Sequence, residues 1–94
     1  MEFERDEAKR IANLRKHGVD FAAVDAFEWA SVQESEDRRK DYGERRWVAV
    51  GRIGDGVHVL IYTRRGARMR VISLRRANGK EFRSYEASTQ AANG

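Results

Sequence analysis

The first third of the chain carries two segments with helical periodicity. After Asp6, apolar residues recur at helical spacing until Gly18, at Ala8, Ile11, Ala12 and Leu14. Asp6 can cap this helix, because an Asp side chain accepts hydrogen bonds from the free N–H groups of a first turn. Asp20 is placed to cap a second helix, whose buried side would comprise Phe21, Val24 and Phe27. The pattern therefore predicts two consecutive N-terminal helices.

Strand-like patterns replace the helical period after Trp29. Val32 predicts a short edge strand, which is followed by a charged loop that reaches Arg45. Three further strands are predicted, RWVAVGRI at 46–53, VHVLIYT at 57–63 and RMRVISL at 68–74. The connections at 54–56 and 65–67 contain glycine in patterns typical of hairpins, so the three strands should form an antiparallel meander.

The C-terminal part is predicted to be a short helix and a tail. Asn78 and Glu81 have the spacing of a capping box, and the helix that follows carries Phe82 for packing and Tyr85. We expect residues 1–87 to form a single domain and residues 88–94, which have nothing to bury, to be flexible. The order of elements predicts a two-layer α+β domain: two N-terminal helices pack on one face of an antiparallel meander, and the other face is left partly open.

Composition limits what such a domain can do. A chain of 94 residues forms one domain with one modest core. It has no cysteine, which excludes disulfides and thiolate chemistry and fits a reducing, cytoplasmic location. The N-terminus alternates in charge where a signal peptide needs an apolar segment, so no contact with a membrane is expected. Its two histidines, His17 and His58, are far apart in sequence, so we predict no metal site and no cofactor.

The distribution of charge points to an anionic partner. The net charge is only +4, but residues 1–37 hold ten acids and five bases, whereas residues 64–83 hold eight bases and one acid, Glu81. A basic stretch of this kind favours nucleic acid as the partner, and we name Arg64, Arg65 and Arg70 as candidate RNA-binding residues.

Two adjacent arginines, Arg75 and Arg76, close the third strand of the meander. The hairpin brings this strand end beside His58, and the turn decides whether His58 shares a face with Arg75 or with Arg76. Tyr85 should lie nearby. An arginine there can hold a phosphate through two hydrogen bonds and stabilise the charge that grows when RNA is cleaved by its own 2′-hydroxyl. That reaction needs no metal ion, and DNA lacks the hydroxyl.

Three blocks of the chain resemble the BrnT family of type II toxins, which are small ribonucleases with a RelE-like fold. The blocks are DEAKRIANLRKHGVDF at 6–21, DRRKDYGERRWVAVGR at 37–52 and YTRRGARMRVISLRRANGKEFRSYE at 62–86. The resemblance implicates residues of the first and last blocks: Lys9, Asn13, Lys16, His17, Gly18, Arg65, Arg70, Ser73, Arg75, Arg76, Glu81 and Tyr85. Family members usually have Trp-Asp where this chain has Arg5-Asp6, which weakens any role for an N-terminal aromatic residue.

The resemblance also implies partners. A ribbon-helix-helix antitoxin encoded beside the toxin would inhibit it, and the complex would bind its own operator DNA. RelE relatives act on messenger RNA bound to the ribosome, and the sequence leaves open whether free RNA is sufficient. The base preference and the stoichiometry of the antitoxin complex are also left open.

The leading hypothesis is a metal-independent endoribonuclease toxin that blocks translation. In this hypothesis Arg75 and Arg76 hold the phosphate, Tyr85 or His17 transfers protons, and Lys9 and Lys16 join the RNA-binding residues. The same charges fit a nucleic-acid-binding module without catalysis, or a protein whose basic surface serves only its partner. Structural roles are also open: His17 can stabilise the end of its helix, and the two lysines can be solvated.

Overall fold

The computed structural model describes residues 2–93, which form an α+β fold built on a five-stranded sheet. The strands are β1 (Glu2–Glu4), β2 (Gln33–Asp37), β3 (Arg46–Ile53), β4 (Gly56–Arg65) and β5 (Arg68–Arg76). The α-helices are α1 (Glu7–His17) and α2 (Gly79–Asn93), and two 3-10 helices span Phe21–Ala26 and Trp29–Ser31. None of the helices in this part of the chain is long and apolar enough to cross a membrane.

The strand order in the sheet is β1-β5-β4-β3-β2. The neighbouring pairs from β2 to β5 are antiparallel, so the predicted meander and its edge strand are confirmed, although the edge strand begins one residue later than Val32. Strand β1 pairs parallel to β5, with Phe3 opposite Met69. The sheet is therefore mixed rather than antiparallel throughout. A strand of three residues is too short to show an alternating pattern, which explains why the sequence did not predict it.

The second predicted N-terminal helix is a 3-10 helix and not an α-helix. Asp20 caps it as expected, because its Oδ1 accepts a hydrogen bond of 3.0 Å from the backbone N–H of Ala22. The three predicted core residues are buried: Phe21, Val24 and Phe27. They recur every third residue, which matches the three residues per turn of a 3-10 helix.

Helix α1 has the predicted limits but buries a different side. Asp6 caps its N-terminus, and Gly18 follows its last turn with φ of 71°, the left-handed conformation that glycine adopts at low cost. The predicted apolar stripe is wrong, because Ile11 and Leu14 are 39% and 40% exposed while Asn13 is buried. The helix therefore turns a polar residue toward the sheet.

Hydrogen bonds to the edge of β5 explain why Asn13 is buried. Its side-chain Nδ2 donates to the carbonyl oxygens of Leu74 at 2.7 Å and Val19 at 2.9 Å, and its Oδ1 accepts from the N–H of Leu74 at 3.2 Å. Strand β1 stops at Glu4, opposite Arg70, so beyond that point β5 has no neighbouring strand on this edge, although β4 still pairs with its other edge. Asn13 satisfies backbone groups that a further strand would otherwise have paired.

The hydrophobic core lies on one face of the sheet, which we call the core face. Its buried cluster joins the first 3-10 helix to inward residues of the three long strands: Phe21, Val24, Phe27, Ala49, Leu60, Tyr62, Met69, Val71 and Leu74. The opposite side, which carries Val48, Val50, Val59 and Ile61, is called the open face. Helical elements lie on both faces of the sheet, because α2 covers one end of the open face. This arrangement differs from the two layers predicted, in which the helices packed on one face.

Helix α2 packs through Tyr85 and not through Phe82. Tyr85 is 3% exposed whereas Phe82 is 43% exposed, which reverses the packing expected from the sequence. The predicted capping box is confirmed: Asn78 Oδ1 accepts from the N–H of Glu81 at 2.8 Å, and Glu81 Oε1 accepts from the N–H of Asn78 at 2.9 Å. The helix has 15 residues and is longer than predicted. The flexibility of residues 88–94 stays a prediction, and Gly94 lies outside the described residues.

Candidate active site on the open face

A β-bulge decides which arginine lies on which face. The β4–β5 connection is a two-residue turn at 66–67, which by itself would have placed His58 on the side of Arg75. The register shifts between Ile61 and Tyr62, however, and leaves Ile72 as an extra residue in β5. Beyond the bulge, His58 pairs with Arg76 and Val59 pairs with Arg75.

The two arginines therefore do not lie together. Paired residues of neighbouring strands share a face, so Arg75 lies with Val59 on the open face, and Arg76 lies with His58 on the other face. One phosphate group on the open face can reach Arg75 but not both side chains. On the open face, the structure therefore supports Arg75 but not Arg76 as a residue that could bind the phosphate.

Arg75 is held by the first turn of α2. Its Nη1 and Nη2 donate to the two carboxylate oxygens of Glu81, both at 2.7 Å, and the side chains are 29% and 28% exposed. This hydrogen bonding raises the pKa of Arg75. It also lowers the pKa of Glu81 to about 2, with a further contribution from the N–H of Asn78. Because the capping box anchors Glu81, the same contact that starts the helix orients the guanidinium.

The guanidinium of Arg75 keeps donors for an anion. Glu81 engages the end of the group, and Nη1 also donates to the carbonyl oxygen of Arg76 at 3.3 Å. In the part of the chain that the structure describes, no hydrogen bond involves Nε of Arg75. An arginine has five N–H donors, so Nε–H and the second N–H of Nη2 form a lateral pair that can bind two oxygens of a phosphate.

His17 lies close enough to Arg75 to be affected by its charge. Burial lowers the pKa of His17, and the positive charges of Lys16 and Arg75 lower it further. Its imidazole is therefore neutral at neutral pH and can accept a proton. A cavity of about 270 Å³ brings His17 together with Lys9 and Lys16 from α1 and with Ser73 from β5. The structure thus gathers these predicted residues at one edge of the open face.

Tyr85 does not present its hydroxyl to this region. The hydroxyl donates to Ser31 Oγ at 3.2 Å, and the ring is buried. The guanidinium of Arg52 lies 5.7 Å from the ring centroid and is held by Glu86 at 2.5 Å. These contacts give Tyr85 a packing role, and they leave His17 as the better placed of the two predicted proton-transfer residues.

The remaining RNA-binding candidates are divided between the two faces. Arg70 pairs with Thr63 and, like Arg65, lies on the open face. Arg70 lies 3.5 Å from Asp6, and Arg65 lies 3.7 Å from Glu44. Both ion pairs are long and leave the cations available to other anions.

Arg64 lies on the core side of the same hairpin. It donates to Glu34 at 2.8 Å and to the hydroxyl of Tyr62 at 3.2 Å, and its guanidinium lies 5.0 Å from the ring of Trp47. The structure therefore separates Arg64 from Arg65, Arg70 and Arg75.

Two site residues, Asp37 and Arg39, were not singled out from the sequence. The buried carboxylate of Asp37 accepts from Nε and Nη2 of Arg39 at 2.9 and 2.8 Å, and from the hydroxyl of Tyr42 at 3.2 Å. The hydrogen bonds from Arg39 are the main reason why the pKa of Asp37 falls to about 2. Asp37 thereby folds the charged loop back over the end of β2. Both residues fall in the block at 37–52 that resembles the BrnT family. This resemblance was the one feature of the sequence that could have pointed to them.

Arg39 adds a second cation beside Arg75. Both arginines line a cavity of about 280 Å³ on the open face, whose other charged lining residues are Arg38 and the acids Glu36, Asp37 and Glu81. The apolar residues Val48, Val59 and Ile61 also line it. The charge of Arg39 lowers the pKa of Arg75 and of Glu81. A phosphate bound here would contact the guanidinium of Arg75, which Glu81 holds in place, and would lie near the guanidinium of Arg39. Among the side chains that the structure describes, no three from His, Asp or Glu are grouped so that they could hold a metal ion.

The fold and this site define a small α+β protein with a cleft on one face of its sheet that is lined by three arginines and three acidic residues. The family model described as a ribonuclease toxin, BrnT, of a type II toxin-antitoxin system matches residues 6–81. The match covers more than half of the chain and includes α1, the meander, Arg75 and Glu81. The chain therefore belongs to the BrnT family of ribonuclease toxins, which implies RNA as substrate and an antitoxin as partner. No curated protein matches the chain.

Proposed function

We propose that this protein cleaves RNA without a metal ion and that Arg75 stabilises the negative charge on the reacting phosphate. The observation that carries this proposal is the double hydrogen bond between Arg75 and Glu81, which orients the guanidinium and leaves its lateral donors unused. A preorganised donor aimed at developing charge is among the largest contributions to catalysis. The family assignment supplies the class of reaction.

The reaction begins with transfer of a proton from the ribose 2′-hydroxyl to the neutral imidazole of His17. The 2′-oxygen then attacks the adjacent phosphorus, and two equatorial oxygens carry the negative charge of the phosphorane. Arg75 donates to these oxygens, and Arg39 offers a second positive charge. The bond to the 5′-oxygen breaks, and this oxygen takes up a proton from water while the protonated His17 returns its proton to the solvent. The products end in a 2′,3′-cyclic phosphate and a 5′-hydroxyl.

The family assignment also supports a biological setting for this activity. We propose a RelE-like fold, cytoplasmic action on messenger RNA and inhibition of translation, with the ribosome as a possible further partner. A ribbon-helix-helix antitoxin would neutralise the toxin, and their complex would bind its own operator DNA. The arginines of the open face are accessible to RNA and to an acidic antitoxin segment alike, so the two should compete.

Purified protein is expected to cleave RNA in the presence of EDTA, to leave DNA of the same sequence intact and to produce 2′,3′-cyclic phosphate ends. Gel analysis and mass spectrometry of the products would measure all three properties. Activity that disappears with the chelator and returns with Mg²⁺ would contradict the mechanism. Tight binding of RNA without cleavage would instead favour the non-catalytic nucleic-acid-binding module, and no affinity for RNA would favour the partner-only alternative.

The pH dependence of cleavage should report the ionisation of His17. A general base must be deprotonated, so kcat/KM should fall by about tenfold per pH unit as the pH drops below the pKa of His17. Because burial and two positive neighbours lower this pKa, the midpoint should lie below the ordinary value of 6.5. In the His17→Gln variant this fall in kcat/KM at low pH should disappear.

The Lys16→Gln variant tests the same assignment through a neighbouring charge. Removing the positive charge of Lys16 should shift the midpoint upward, because that charge disfavours protonation of His17. If kcat/KM of His17→Gln still falls at low pH, and if the midpoint of this fall in Lys16→Gln is the same as in the parent, a different group accepts the proton.

A further inference from the structure

A second cavity adjoins the phosphate site on the open face. It lies between the edge strand β2 and helix α2 and has a volume of about 390 Å³, within the roughly 300–1,000 Å³ typical of small-ligand pockets. We call it the α2 groove and define it by its lining residues Gln33, Val50, Asn78, Lys80, Glu81, Ser84, Tyr85 and Ser88. Among these, Lys80, Ser84 and Ser88 recur at every fourth position and form one wall of the groove.

The groove and the phosphate site are continuous through Glu81. This residue lines the α2 groove, and it also lines the neighbouring cavity, where its carboxylate holds Arg75. A nucleotide whose phosphate contacts Arg75 would therefore have the α2 groove beside it. The strand register supports this arrangement, because Gln33 lies opposite Val50 and Val50 opposite Val59, the neighbour of Arg75.

The lining of the groove suits a nucleobase. Val50 provides an apolar surface against which the face of a base can lie, and the small side chains of Ser84 and Ser88 leave room above it. The exposed amide of Gln33 offers both a donor and an acceptor, which is what the polar edge of a base requires. Single-stranded RNA is generally recognised through hydrogen bonds to the edges of unstacked bases.

We propose that the α2 groove binds the base next to the phosphate held by Arg75 and that Gln33 and Ser84 determine which base is preferred. This inference rests on the proposed ribonuclease activity and adds a base-binding site to it. Gln33 is exposed at the start of an edge strand and Ser84 is exposed on a helix, so substitutions at both positions should leave the fold intact.

The experiment maps the cleavage sites in an RNA pool of random sequence by sequencing the ends of the products. The parent protein should show a base preference at one position beside the cut. Gln33→Ala should change that preference by about fivefold, the size expected for the loss of one hydrogen bond. Ser84→Trp should fill the groove and reduce kcat/KM for RNA. Gln90→Ala and Gln90→Trp, at an exposed position of α2 outside the groove, are the matched controls.

The outcomes separate this inference from the proposed function. If the parent cleaves RNA without a base preference, or if Gln33→Ala keeps the parental preference and Ser84→Trp cleaves normally, the groove is not a base site and the role of Arg75 still stands. The inference is also overturned if Ser84→Trp impairs only the binding of the antitoxin. If the parent does not cleave RNA at all, the proposed function fails together with the base site.

Discussion

Arg75→Ala is expected to lower the rate of RNA cleavage at saturating substrate by about 10²–10³-fold, the usual cost of removing one donor to a developing oxyanion. The guanidinium should contribute more to the transition state than to substrate binding, so kcat should fall more than KM rises. Folding should change little, because the ion pair with Glu81 is partly exposed and such pairs contribute at most about 1 kcal/mol. Single-turnover kinetics and thermal melts would measure the two effects.

Two further arginines provide the controls. Arg76 is adjacent in sequence but lies on the other face, and Arg64 lies on that face at the opposite end of the hairpin, bonded to Glu34. Both Ala variants should retain a turnover close to that of the parent. If Arg75→Ala cleaves as fast as the parent, or if the three variants lose activity equally, the active site does not lie at the open-face end of β5.

Asn13→Ala is expected to lower the free energy of unfolding by about 3 kcal/mol, because it leaves the buried backbone N–H and carbonyl of Leu74 and the part-buried carbonyl of Val19 without their partners. For a domain of this size the loss corresponds to a fall of roughly 12–24 °C in Tm. Urea unfolding followed by circular dichroism would measure it. Lys9→Ala, at an exposed position of the same helix, should change the stability by no more than about 0.5 kcal/mol.

The same variant separates a structural role for Asn13 from a catalytic one. The family resemblance implicates Asn13, and its side chain lines the cavity that holds His17. In the structure, however, its amide is hydrogen-bonded to the backbone of Leu74 and Val19, and its Oδ1 also accepts from Ser73 Oγ at 3.5 Å. The activity of Asn13→Ala per folded molecule, measured well below its Tm, should therefore stay close to that of the parent. A folded variant with a large loss of turnover would show that Asn13 contributes to the chemistry.

Elements whose ends depend on neighbouring residues could be predicted from the amino-acid sequence. Asp6 and Gly18 marked the ends of α1, and Asn78 with Glu81 marked the start of α2, because capping depends on residues within one turn. The alternating strands and glycine turns likewise predicted the meander. The three family blocks indicated the family. The functional role of the basic stretch at 64–83 stays a prediction.

Which of these residues lie together depends on strand register and on packing between distant parts of the chain. A single extra residue, Ile72, reversed the side on which Arg75 lies, because side chains alternate along a strand and a shift of one residue exchanges the faces. Asn13 became buried because the end of β1 left backbone groups of β5 unpaired. Arg39 and Arg75, which are distant in sequence, line one cavity because of the order of the strands in the sheet. Such relations depend on register and long-range packing, and neither is encoded in a local pattern of polar and apolar residues.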